Sequence, residues 1–246
     1  MSSVAEPVSI VAGYQFVDVN DGPALRQRCL DAAQAAGIKG TLLIAPEGIN
    51  FTLAGAPTAI AEWLQGLRSD PRFAGIEVKQ HGAKGLPFGR LRVKLKNEII
   101  RMNQPAVRPG ARRAPTVTPA SLARWLAQGH DDAGRPLVLL DTRNGFEVDG
   151  GAFVGALDWR LEKFSDFPAA LQANQQQLEG KTVVSYCTGG IRCEKAALWM
   201  QQHGVEHVVQ LEGGILRYLE ALPDAPHWRG GCFVFDERGQ IEPERR

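Results

Sequence analysis

A strand, a short glycine loop and a helix meet around Cys187, and this run constrains the fold of the 246-residue chain more than any other. Residues 181–186 are rich in β-branched side chains and predict a buried strand, whereas residues 192–203 predict a helix. Gly189 and Gly190 lie in the loop between them and let the backbone approach the sulfur closely. The run predicts an activated thiol, because loop amides and the helix dipole both favour thiolate over thiol.

The spacing of the loop narrows its chemistry. Arg192 follows Cys187 as Cys-x4-Arg, one residue tighter than the Cys-x5-Arg of cysteine phosphatases, and Cys193 stands where a phosphatase would need its arginine. The tighter ring suits a terminal sulfur atom better than a phosphoryl group, and the arginine adds a fixed cation. We therefore predict Cys187, Arg192 and Cys193 as catalytic residues, although Cys193 could equally be a packing residue. The predicted lining of the pocket is Thr188, Gly189, Gly190, Ile191 and Lys195.

Strand and helix patterns alternate through the second half of the chain. The predicted strands are 137–141, 182–186 and 207–211, and the predicted helices are 119–128, 192–203 and 214–221, with helical pieces between 161 and 178. Such alternation indicates an α/β domain with a parallel sheet and helices on both faces. Active sites in these sheets lie at the carboxyl ends of strands, where Cys187 falls.

The first half of the chain has a different order of elements. The predicted strands are 8–19, 40–45, 49–54, 76–80 and 90–95, and the predicted helices are 23–36 and 57–67. The β-α-β-β-α-β order indicates a ferredoxin-like α+β sandwich. Residues 104–119 are rich in proline and show little apolar periodicity, which is typical of a linker. The expected organisation is a ferredoxin-like domain at 1–103, a linker at 104–119, a parallel-sheet α/β domain at 120–225 and a C-terminal extension at 226–246.

Charge is segregated along the chain, although the total is only +1. The segment 79–113 holds ten basic residues and one acidic residue, Glu98, so it carries +9 and leaves −8 for the remainder. This segregation predicts a face that binds nucleic-acid phosphates, although a solvated sheet face explains the alternating charges nearly as well. The residues predicted to contact nucleic acid are Lys79, Lys84, Arg90, Arg92, Lys94 and Lys96, with His81 and Phe88 as stacking surfaces for unpaired bases.

Several classes of protein are disfavoured by what the sequence lacks. No apolar run approaches the roughly 18 residues of a membrane span, and the N-terminus has no signal-peptide pattern. The cysteines at positions 29, 187, 193 and 232 include no Cys-x2-Cys pair, and the histidines show no metal-ligand spacing, so we expect no metal site. No dinucleotide, Walker or flavin motif is evident, so we expect no organic cofactor. A reducing cytoplasm is the expected location.

Sequence motifs across the whole chain resemble a known family. Asp141-Thr142-Arg143-Asn144, the Cys187 loop and Leu211-Glu212-Gly213-Gly214-Ile215 resemble a rhodanese domain. Two further segments are residues 45–50, Ala-Pro-Glu-Gly-Ile-Asn, and residues 232–238, Cys-Phe-Val-Phe-Asp-Glu-Arg. Together with the rhodanese motifs, they make the chain resemble the oxygen-dependent tRNA uridine hydroxylases. It resembles a short variant of that family, without the cysteine-bearing tail that longer members carry.

The resemblance implies an enzyme that hydroxylates the wobble uridine of tRNA to 5-hydroxyuridine. Dioxygen would be its co-substrate and the anticodon arm of tRNA its partner. In the family's pattern Asp141 and Arg143 organise the pocket, although Asp141 also suits a purely structural helix cap. A second function stays open, that of a sulfurtransferase that moves sulfane sulfur through a Cys187 persulfide with Cys193 assisting its resolution. A third, a catalytically silent partner-binding module, is disfavoured by the intact Cys-x4-Arg loop.

Overall fold

The chain divides into two units, Met1–Arg101 and Met102–Arg246, in a computed structural model that describes residues 7–83, 85–235 and 238–243. Lys84, one of the residues predicted to contact nucleic acid, lies outside the described residues.

A five-stranded sheet with two helices forms the first unit. Its elements are β1 (Val8–Phe16), α1 (Gly22–Ala35), β2 (Lys39–Ala45), β3 (Gly48–Gly55), α2 (Pro57–Arg68), β4 (Val78–Ala83) and β5 (Leu91–Leu95). The strand order is β4-β1-β3-β2-β5, and all pairs are antiparallel except β2 with β5. The first four strands have the order of a ferredoxin-like sandwich, which confirms the predicted class, and β5 extends its edge.

One face of this sheet packs on the two helices. In β3, Ile49, Phe51 and Leu53 alternate onto that face, and each is at most 2% exposed. Helix α2 brings its buried residues to the same core at helical spacing, and its Trp63 meets Phe51 edge to face with ring centroids 5.3 Å apart. On the opposite face, β5 carries Arg92 and Lys94, whereas β1 carries apolar residues such as Ile10 and Phe16.

The second unit is built on a parallel sheet, as the alternating pattern predicted. Its elements are β6 (Thr116–Val117), α3 (Pro119–Gln128), β7 (Leu137–Asp141), α4 (Gly145–Gly150), β8 (Gly151–Phe153), β9 (Leu157–Asp158), α5 (Phe167–Asn174), β10 (Thr182–Tyr186), α6 (Ile191–Gln202), β11 (Val208–Leu211), α7 (Gly214–Ala221), β12 (Trp228–Gly230), β13 (Cys232–Phe233) and β14 (Gln240–Ile241). The main sheet has the order β6-β11-β10-β7-β9, with every pair parallel.

Two predicted segment boundaries can be compared with these elements. The segment 104–119, expected to be a linker, contains the edge strand β6 and the first residue of α3. Within it, Val107 and Ala114 are at most 4% exposed. The strand predicted at 76–80 begins two residues later, because the Ile76 amide donates to the Phe73 carbonyl and closes a turn.

Candidate active site

The Cys187 loop joins the carboxyl end of β10, the central strand of the parallel sheet, to α6. Gly190 caps α6 in a left-handed conformation, with φ of 102°, which favours glycine. Its amide donates a hydrogen bond to Cys187 Sγ at 3.1 Å. The cysteine side chain is completely buried. The predicted strand–loop–helix arrangement is therefore present, with α6 beginning at Ile191.

The start of α7 holds the outer side of this loop. The Ile215 amide donates to the Cys187 carbonyl at 3.0 Å, and the Leu216 amide donates to the Thr188 carbonyl at 3.1 Å. Gly214 has a φ of 66°, and a Cβ there would overlap the Cys187 carbonyl oxygen. Because α7 binds the carbonyls, the loop amides are left to face the sulfur. Gly214 thus packs directly on the loop backbone.

Electrostatics around Cys187 favour the thiolate. Burial alone raises the pKa of this thiol, but the Cys193 thiol, the Arg192 charge and the amides of Arg192 and Gly190 outweigh it and lower the pKa to about 5. At neutral pH the Cys187 sulfur is consequently an anion, which is the nucleophilic form of cysteine.

Arg192 is fixed in place by a carboxylate from another helix. Its guanidinium donates two parallel hydrogen bonds to Glu147 of α4, at 2.6 and 2.8 Å, and both side chains are at most 6% exposed. The Thr188 hydroxyl also donates to Glu147, at 3.3 Å. Burial alone raises the pKa of Glu147, but its pairing with Arg192 overrides this effect and holds the pKa below its ordinary value. The pair therefore stays ionised and keeps the arginine charge beside Cys187.

Asp141 and Arg143 form a second buried ion pair, which contacts the backbone of α4. The Arg143 guanidinium donates to Asp141 at 2.6 and 2.9 Å and to the carbonyls of Gly151 and Glu147 at 2.6 and 3.3 Å. These bonds tie the middle of α4 and the residue that follows it to the carboxyl end of β7. Arg143 thus contacts the helix that carries Glu147, and Asp141 holds Arg143 in place.

Glu147 is the functional residue that the sequence analysis missed. A signal for it exists, because Asn144 is followed three residues later by Glu147, whose carboxylate accepts from the Asn144 amide at 3.1 Å. That spacing predicts a helix start directly after the Asp-x-Arg motif. It gives no indication that the same carboxylate reaches Arg192, 45 residues further along the chain.

Other predicted pocket residues take different places. Cys193 is completely buried, its sulfur lies 3.5 Å from Thr142 Oγ1, and its thiol interacts with the Cys187 side chain. Lys195 is fully buried, so it does not lie on a solvated face of α6. Gly189 and Ile191 are half-buried at the loop tip and the helix start.

Comparisons with known proteins agree with this geometry. A family model described as UPF0176 acylphosphatase like domain matches residues 8–99, and one described as Rhodanese-like domain matches residues 118–221. The chain is 56% identical to the tRNA uridine(34) hydroxylase of Variovorax paradoxus (strain S110), over 95% of this chain and 89% of the relative. It is 57% identical to the proteins of the same name from Bordetella avium (strain 197N) and Bordetella petrii, over 95% of this chain and 96% and 92% of those relatives.

The chain belongs to the tRNA uridine(34) hydroxylase family. The resemblance drawn from its motifs is confirmed, and so are the two fold classes. Among the described residues of this hydroxylase-family chain, no helix is long and apolar enough to cross a membrane. The same residues contain no group of three or more His, Cys, Asp or Glu side chains placed to hold a metal ion.

The motif that marks the hydroxylase family in the first unit has a structural explanation. Glu47 accepts from the Ile99 amide at 2.7 Å, and Asn50 donates to the Ile99 carbonyl at 3.2 Å. Together they satisfy both polar groups of a residue that is 1% exposed. Between them, Gly48 has a φ of 142°, and a Cβ there would overlap the Gln15 carbonyl. The motif therefore fixes the position of the chain that follows β5.

In this hydroxylase-family chain, basic residues of the first unit lie on the sheet face opposite the helices. They are found at both edges of that sheet. Arg92 and Lys94 are exposed on the edge strand β5, and their partner positions place them on one side. Lys79 lies on β4 at the other edge, with three strands between, a separation of about 19 Å at the usual strand spacing. Arg90 and Lys96, which flank β5, are exposed as well.

The basic segment also extends across both units. Arg108, Arg112 and Arg113 belong to the second unit. Arg113 pairs with the buried Glu194 of α6 at 2.7 Å. The charge that the sequence concentrates in one segment is therefore distributed over several surfaces.

Proposed function

We propose that this chain hydroxylates C5 of uridine 34 in tRNA, with dioxygen as co-substrate and Cys187 as the reactive thiolate. The observation that carries the proposal is the buried Cys187 thiolate beside an Arg192 fixed by Glu147, in a member of the tRNA uridine(34) hydroxylase family. Uridine 34 is the wobble position of an unpaired anticodon loop, so little unpairing is needed to bring the base to a site.

Each residue of the site has a role in this proposal. Cys187 supplies an anionic sulfur, and the α6 dipole and the Gly190 amide stabilise it. Arg192 stabilises negative charge that develops on the oxygen bound next to the sulfur. Glu147 is a positioning residue, because it touches Arg192 and Thr188. Since Cys187 is completely buried, the species that reaches its sulfur in this conformation must be small, as dioxygen is.

RNA binding in this proposal depends on the first unit. Arg92 and Lys94 present two exposed cations on one sheet face, with Arg90 and Lys96 beside them. Cations in a row suit the phosphates of the anticodon arm. The cytoplasm, where tRNA is available, is the compartment that we expect.

Sulfur transfer is the contrasting function. The Cys187 loop could hold a persulfide, but the family to which the chain belongs is named for hydroxylation, and this favours the first function over the second.

The test is nucleoside mass spectrometry on tRNA that lacks the wobble hydroxylation, incubated with the protein and a dithiol in the presence or absence of dioxygen. We expect a gain of one oxygen on uridine 34 that requires dioxygen and disappears in Cys187→Ser. Cys29→Ser, which alters a buried cysteine of the first unit, is the matched control and should retain activity. Failure of the protein to modify uridine, together with rapid sulfur turnover from thiosulfate, would replace the proposal with sulfur transfer.

A further inference from the structure

The proposed hydroxylation requires electrons that uridine and dioxygen do not supply. One oxygen atom enters the uridine C5–H bond and the other leaves as water, which consumes two electrons and two protons. Conversion of two thiols to a disulfide releases two electrons and two protons. A pair of adjacent thiols at the site would therefore match the requirement of the proposed function.

Cys187 and Cys193 form such a pair. Cys193 is the third residue of α6, and its sulfur and that of Cys187 are both completely buried. Cys193 Sγ lies 3.5 Å from Thr142 Oγ1, and this hydroxyl donates to the carbonyl of Tyr186, the residue directly before Cys187. The Cys193 thiol is therefore close enough to interact with the Cys187 thiolate. The remaining cysteines are placed elsewhere, Cys29 on α1 in the first unit and Cys232 on β13.

We propose that Cys187 and Cys193 are the two-electron donor of the hydroxylation. The Cys193 S–H bond breaks and one S–S bond forms with the Cys187 thiolate. The two electrons, the Cys193 proton and one solvent proton pass to the oxygen atom that leaves as water. Uridine and dioxygen thereby give 5-hydroxyuridine, water and one disulfide, so atoms and electrons balance. A dithiol reductant then reopens the disulfide by thiol–disulfide exchange.

The two sulfurs differ in protonation in the way that this step requires. Burial and the neighbouring Cys187 raise the pKa of the Cys193 thiol well above its ordinary value. Cys187 is therefore the thiolate that reacts, and Cys193 keeps the proton that it later gives up.

Two substitutions separate a redox role of Cys193 from a positioning role. Cys193→Ser keeps a hydrogen-bond donor beside the Cys187 thiolate but cannot form a disulfide. Cys193→Ala removes both properties. If Cys193 only tunes Cys187, the serine variant should turn over like the wild type. If it donates electrons, both variants should fail, although the serine variant retains the ultraviolet absorbance of the thiolate.

The experiment is a single-turnover reaction with the pre-reduced full-length protein, unmodified tRNA and dioxygen, freed of reductant. We expect no more than one 5-hydroxyuridine per chain and one Cys187–Cys193 disulfide, identified by differential alkylation and peptide mass spectrometry. Addition of a dithiol should restore repeated turnover in the wild type and in Cys232→Ser. Cys193→Ser should turn over at least about tenfold more slowly under the same conditions. Repeated wild-type turnover without reductant, with both thiols still free, would overturn the proposal.

The outcomes distinguish this proposal from the proposed function. If the wild type hydroxylates uridine with a dithiol, but Cys193→Ser does so at the wild-type rate, only the electron-donor role fails. If the wild type never hydroxylates uridine, the function fails and the donor role fails with it. A redox titration without tRNA reports separately whether the two thiols can form a disulfide.

Discussion

Glu147 and Arg192 meet through two parallel hydrogen bonds of 2.6 and 2.8 Å, although they lie on different helices and 45 residues apart in the chain. Both side chains are nearly inaccessible to solvent. This pair fixes the position of the Arg192 guanidinium, which stabilises the Cys187 thiolate, and it therefore links the fold of the second unit to the reactivity of its cysteine.

Removal of the Glu147 charge should weaken both the fold and the site. Glu147→Gln leaves a buried Arg192 without its counter-ion, and we expect a loss of about 3 kcal/mol in the free energy of unfolding. The kcat of hydroxylation should fall by a larger factor than its KM rises, because the substrate-binding surfaces are unchanged. Asp149→Asn, which alters an exposed carboxylate of the same helix paired with Arg160, should change little. Equal denaturation curves for the wild type and Glu147→Gln would contradict this prediction.

Activity should depend on pH through Cys187. Because the pKa of this thiol is lowered to about 5, the thiolate is populated above that pH and is lost as the pH falls through it. The rate of hydroxylation should therefore decline on the acid side with a midpoint near 5. In Arg192→Gln the midpoint should move upward by about one unit or more, since a stabilising charge is gone. The ultraviolet absorbance of the thiolate, measured against Cys187→Ser, provides the check. A midpoint that stays at the ordinary cysteine value in the wild type would refute the assignment.

The contact of Gly214 with the Cys187 loop can be tested by adding one methyl group. Gly214→Ala places a Cβ in the position of the Cys187 carbonyl oxygen, so we expect displacement of the loop and loss of hydroxylation. Gly180→Ala is the matched control, because Gly180 has a similar φ of 68° with no atom within 4 Å of the added Cβ. Both variants should lose about 1 kcal/mol of stability from the left-handed backbone, but only the first should lose activity. If both remain equally active, α7 does not position the loop.

Charge reversal on β5 should weaken tRNA binding in a salt-dependent way. For the double variant Arg92→Glu and Lys94→Glu, we expect a lower affinity for tRNA. The slope of log affinity against log salt concentration should correspond to about two fewer phosphate contacts. Lys181→Glu, at the start of β10 and so at the opposite end of that strand from Cys187, is the control. Lys79→Glu reports separately on the other edge of the first sheet. An unchanged salt slope in the double variant would mean that β5 is simply a solvated edge.

The family motif in the first unit should contribute stability. Glu47→Ala leaves the buried Ile99 amide without its 2.7 Å acceptor, and we expect a loss of about 1–3 kcal/mol in the free energy of unfolding. Glu62→Ala, on an exposed position of α2, should have little effect. Equal stability of the two variants in a urea titration would show that the Ile99 amide finds another partner.

Local patterns in the sequence were sufficient to predict the framework of the site. The strand before Cys187, the glycines after it and the start of α6 follow from composition and spacing within a few residues, because backbone propensity and hydrophobic periodicity act locally. The parallel sheet follows from alternating strands and helices, and it places Cys187 at a carboxyl end. The shared side of Arg92 and Lys94 follows from the two-residue period of a strand.

Only the tertiary structure determined which distant groups meet at the sulfur. Glu147 reaches Arg192 because α4 and α6 both begin at the carboxyl end of the sheet. A local sequence pattern cannot predict a contact between two residues so far apart in the chain. Cys193 could have been a packing residue, but the fold brings its buried sulfur to Thr142, which bonds the residue before Cys187. Gly214 contacts a loop 27 positions earlier in the chain. Contacts of this kind are set by the packing of whole elements, so the sequence determined which chemical groups are present and the fold decided which of them act together.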